Sequence, residues 1–71
     1  MATKNRWLAR ENASCAADHL TKAAEDVRSV QRLLAADRDP EAAVLTIMAD
    51  LIDTHRDFLR SLAKGEEDND G

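Results

Sequence analysis

Cys15 and His19 are the first residues in the chain whose types and spacing could do chemistry. On a helix, residues four apart share one side about a turn apart, and a thiolate with an imidazole could begin a metal site. His55 is the only other histidine. Two copies of the chain could supply Cys15, His19 and His55 twice, and helical bundle cores do host metals in this way. Against this, there is no second cysteine and no repeating carboxylate–histidine pattern. The expectation is no metal and no cofactor, with Cys15 a small buried or half-buried residue. Asp50, Asp53 and Asp57 form an acidic ridge at i, i+3 and i+7. Such carboxylates can serve acid–base chemistry or bind cations, but here they read as the solvated polar face of a helix. No motif for catalysis or nucleotide binding appears, so the chain reads as not an enzyme. Trp7 stands among Arg6, Leu8 and Arg10. Trp and Arg are enriched in binding hot spots, which makes these four the candidate partner-binding residues.

The elements that carry these residues are two helices. Pro40 is the only proline, and both glycines lie in the last seven residues. Asp39 fits an N-cap, Pro40 the first helical position and Glu41 a first-turn acid facing the dipole. Gly65 after Lys64 supplies a stop. The expected organisation is helix 1 over about 3–36, a turn at 37–39, helix 2 over about 40–64, and an acidic, disordered tail at 65–71. Asn12 and Ser14 could also cap a restart within the first helix. At 1.5 Å per residue the helices span about 50 and 37 Å, so residues 3–11 overhang the second helix.

In the second segment Val44, Met48, Leu51, His55, Phe58 and Leu62 step by four and three, a heptad seam. Leu45, Ile52 and Leu59 flank one side of it and Ile47 the other. The apolar arc covers roughly 160°, too wide for one partner helix. The excess predicts an interface, with Leu45, Met48, Ile52, His55 and Leu59 as the dimer-interface candidates. In the first segment Ala13, Leu20, Val27 and Leu34 repeat every seven residues, with Ala16, Ala23 and Val30 between them. An antiparallel hairpin would set Phe58 and Leu62 against the alanines, large against small. Gln31 falls on this apolar face, where one polar residue can specify register. His55 at a contact between copies would also make a pH-sensitive joint.

Composition bounds the rest. Seventy-one residues make one small domain, and a core of this size supplies only about 3–5 kcal/mol. A single cysteine excludes an internal disulfide, so oligomerisation is the expected source of further stability. The absence of an apolar leader predicts a cytoplasmic protein. No apolar run is long enough for a membrane span. Residues 1–38 carry seven Lys/Arg and five Asp/Glu, net +2; residues 39–71 carry three and nine, net −6. The acidic total disfavours nucleic acid as a partner. Lys22, Arg28 and Arg32 keep a local exception open, although Asp18, Glu25 and Asp26 dilute them.

The hairpin plan, the length, the aspartate-containing turn and the acidic, glycine-bearing tail resemble Rop, the plasmid-encoded RNA-binding protein. That resemblance implies a helical hairpin dimerising into a four-helix bundle, with RNA held on a polar face of the first helices. No site residue carries over, because Trp7 lies off any repeating basic stripe. Copper-sensing repressors of the CsoR type are similar in size and helicity, but they need a second cysteine. Short bacteriophage inhibitors and secretion co-chaperones are also helical hairpins, acting by occupying a partner's surface. The expectation is thus an all-α antiparallel hairpin in a homodimeric four-helix bundle. Its expected role is that of a regulator or inhibitor binding itself and another, unidentified protein. The alternative is a Rop-like RNA-binding or DNA-associated dimer.

Overall fold

A computed structural model describes residues 3–65, with side chains from residue 5. The acidic tail beyond Gly65 lies outside the described residues. Helix α1 spans Thr3–Ala36 and helix α2 spans Glu41–Lys64. They pack antiparallel as a hairpin, and there is no strand among the described residues. Helix α1 is continuous through Asn12 and Ser14, whose side chains are exposed.

The turn is made by backbone hydrogen bonds at both of its ends. Asp39 N–H donates to the Leu34 carbonyl at 2.9 Å and Arg38 N–H to the Ala35 carbonyl at 3.0 Å. Arg38 has φ 59°. Together these make a Schellman motif with arginine where glycine is usual. Pro40 already has helical angles, φ −64° and ψ −18°. The physical N-cap is therefore Asp39, whose Oδ1 accepts the Glu41 N–H at 2.9 Å. At the other end Gly65 takes φ 75° and donates its N–H to the Leu62 carbonyl at 3.0 Å. The Arg10 guanidinium lies against Gly65, where any Cβ would collide with it. Arg10 thus ties α1 to the carbonyl end of α2, a favourable place for a cation.

The seam between the helices is built on alanine. Ala17, Ala24 and Ala49 are each 1% exposed, Ala13 and Ala42 are also buried, and no large side chain is fully buried. On α1 the seam runs through Ala13, Ala17, Leu20, Ala24, Val27, Gln31 and Leu34. On α2 it runs through Ala42, Leu45, Ala49, Ile52, Arg56, Leu59 and Ala63. Every one of these is buried or half-buried, and each line steps by three and four.

This corrects the seam expected from sequence. Val44, Met48, Leu51, His55 and Phe58 do not face α1; all are exposed, Phe58 at 67%. On α1 the intervening seam positions are Ala17, Ala24 and Gln31 rather than Ala16, Ala23 and Val30. The physical reason is close approach. Facing alanines let the axes come together, and backbone and Cβ atoms then make the contacts. The larger side chains are displaced to the flank, where they fit no such narrow gap.

Candidate interaction surface

Two flanks of the seam differ completely in chemistry. Steps of seven residues keep a side chain on one flank of a heptad seam, and the cross-helix ion pairs identify the flanks. Arg28 Nη2 donates to Asp53 Oδ2 at 2.6 Å and to Asp50 Oδ1 at 3.2 Å. Arg60 Nη2 donates to Thr21 Oγ1 at 3.2 Å and lies 3.7 Å from Asp18. Arg56 continues the lattice, reaching Asp53 at 3.1 Å and Asp57 at 2.9 Å. Thr21 and Arg28 on α1, with Asp53 and Arg60 on α2, therefore share one polar flank.

The charges on that flank satisfy one another. The hydrogen bond from Arg28 holds the Asp53 carboxyl below its ordinary value, outweighing the opposing effect of its partial burial. The same bond raises Arg28 further above its ordinary range. Lys22 is paired in turn with Asp26 at 3.2 Å on an exposed surface. The acidic ridge expected to be solvated is thus partly structural: Asp53 is half-buried between Arg28 and Arg56, while Asp50 and Asp57 are exposed.

The opposite flank is apolar and open. Its inner rows, beside the seam, are Ala16, Ala23 and Val30 on α1 and Met48, His55 and Leu62 on α2. Its outer rows are His19, Asp26 and Leu33 on α1 and Val44, Leu51 and Phe58 on α2. Exposure rises outward as this assignment requires: Met48 is 43% exposed, Leu51 54% and Leu33 71%. Ala16, Ala23 and Leu62 are half-buried. Large apolar side chains in the open therefore run along α2 from the turn almost to its end.

The free end of the hairpin carries a second feature. Trp7, Arg10, Glu11, Ser14 and Cys15 of α1 line an open cleft with Ala63 and Lys64 of α2. Trp7 is 56% exposed, and Arg6 and Leu8 are exposed beside it. Arg10 is half-buried against Gly65, with its Nε enclosed. The structure thus brings Trp7 and Arg10 to one cleft with the end of α2, so these two do not overhang it as expected. Leu8 lies near the back of α1, away from it. Among the residues expected between copies, Met48 and His55 stand on the open flank. Leu45, Ile52 and Leu59 are half-buried in the hairpin itself.

Cys15, expected to be buried or half-buried, is instead exposed, as is His19. Among the described residues no group of three or more His, Cys, Asp and Glu side chains could hold a metal ion. No helix among them is long and apolar enough to cross a membrane. Sequence reasoning missed the Arg28–Asp53–Arg56 lattice. Its signal was a basic residue on one helix and acids at the matching height of the other, readable only once the register is known. Comparison with models of known protein families, with curated proteins and with solved structures found no match to this chain.

Proposed function

We propose that the chain is a small non-enzymatic interaction protein that assembles as a homodimeric four-helix bundle through its apolar flank. In that assembly it regulates or inhibits another protein by binding it. One observation carries the reading. The hairpin buries only alanines completely and leaves Val44, Ile47, Met48, Leu51 and Phe58 in the open. A chain of this size draws little stability from so thin a core, whereas covering each large apolar side chain is worth about 1.5–3 kcal/mol. A second copy is the partner present wherever the chain is made. Self-assembly would use the apolar flank and leave the Trp7 cleft as the surface for a different protein. The chemistry there, an aromatic among arginines, suits a protein contact. A nucleic-acid role draws less support, because Lys22 and Arg28 are already paired with aspartates.

Light scattering across a concentration series tests the assembly. A mass near twice 7.9 kDa is expected, falling to the single-chain value for Leu51→Glu. A wild-type chain that stays monomeric and fully folded would overturn the reading. The regulatory contact is tested by comparing what wild-type and Trp7→Ala baits retain from cell extract. A protein held by the wild type and lost by the variant, with the dimer intact in both, is the expected result.

A further inference from the structure

Resting on the homodimer reading, we infer that the two-fold axis runs along the helices. Each α2 then lies over the partner's α1, and both turns emerge at the same end of the bundle.

Two hairpins packed flank to flank allow only two isologous arrangements, because the axis must lie in the plane between them. An axis across the helices stacks α1 on α1 and α2 on α2, with the turns at opposite ends. An axis along the helices stacks α1 on α2 twice, with the turns together. The flank itself discriminates between them. Its α1 half is small toward the free end, with Ala16 and Ala23 half-buried beside the seam, and carries Val30 and Leu33 only near the turn. Its α2 half is large, with Met48, Leu51 and Phe58 exposed. Stacking α2 on α2 would force large rows together and leave alanine rows facing across a gap, giving a wedge. Stacking α1 on α2 sets a small row against a large one along the Ala16–Ala23 stretch of both contacts, so both helix pairs reach the usual 8–10 Å spacing there. Heights also match. The register set by Arg28–Asp53 and Arg60–Thr21 carries over unchanged under an axis along the helices. Ala23 then meets the region of the partner's second helix around Phe58.

Area suffices for a stable pair. The hairpin measures 53 by 20 Å along its flat side, about 1,000 Å² in projection, against roughly 800 Å² per partner in a standard interface.

Distance between turn labels tests the arrangement. In a Cys15→Ser background, Asp37→Cys carries a spin label at the exposed turn, and Ala36→Cys provides an independent second site. With the turns together, pulsed dipolar spectroscopy should read an inter-label distance below about 25 Å at both sites. With the turns apart, the labels are separated by about the length of α2, roughly 36 Å or more. A dimeric mass with the longer distance would overturn the arrangement and leave the dimer standing. A single-chain mass by light scattering would overturn both.

Discussion

Asp53 shows how a residue can look solvated in sequence and be structural in the fold. It accepts from Arg28 across the hairpin at 2.6 Å and from Arg56 on its own helix at 3.1 Å. Most exposed ion pairs contribute little, but this one is half-buried and links two helices. Its folded-state carboxyl is held below its ordinary value of 3.8. A depressed carboxyl stabilises the fold fully above its ordinary value and loses that contribution as pH falls through the lowered one. Asp53→Asn should therefore melt at a lower temperature than the wild type at pH 7. The gap should narrow below about pH 4 and close in stronger acid. Thermal melts from pH 2 to 8 would read it, and a gap independent of pH would assign the loss to something other than charge. Sequence could not have singled out Asp53 from Asp50 and Asp57, because its half-buried place between Arg56 and Arg28, the latter twenty-five residues away, arises only when the helices pack.

At the level of the elements, the alanine seam decides the geometry. Ala17, Ala24 and Ala49 are almost wholly inaccessible, so there is no room for a larger side chain at these positions. Ala24→Leu should cost about 1–3 kcal/mol through overpacking, whereas Ala43→Leu, on an exposed position of α2, should be near neutral. Denaturant melts of the two variants would separate them. Equal effects would mean that the axes part easily and the seam is loose. This is also where sequence and structure diverge. The two helices and their reversal were legible because their signals are local: Asp39-Pro40-Glu41 starts α2 and Gly65 ends it. The apolar arc of α2 was legible too, but its centre was not. Weighing side chains by size put the seam on Met48 and Phe58; close approach put it on Ala42 and Ala49. The Trp7 cleft was visible in part: Trp7 and Arg10 share it, but the contribution of Ala63 and Lys64 depends on where α2 stops.

For the molecule as a whole, stability and assembly should be one quantity. If the apolar flank is covered only by association, the melting temperature must rise with protein concentration by mass action. A hundredfold increase in chain concentration should raise it by several degrees. A midpoint constant over that range would mean that the hairpin stands alone and its open flank contributes nothing to folding.

The turn has a kinetic consequence of its own. Asp37, Arg38 and Asp39 are held by bonds reaching back only to Leu34 and Ala35, so the reversal can close within a few residues. Every later seam contact then closes a loop that the previous contact has already shortened. The hairpin should zip outward from the turn, with the Trp7 end joining last. Such low-contact-order closure is fast; in the proposed dimer, the encounter of two chains would then be the slow, concentration-dependent step. Until such an encounter each hairpin carries its apolar flank uncovered. A newly made chain is thus most exposed to capture or aggregation after its own helices have met, rather than before.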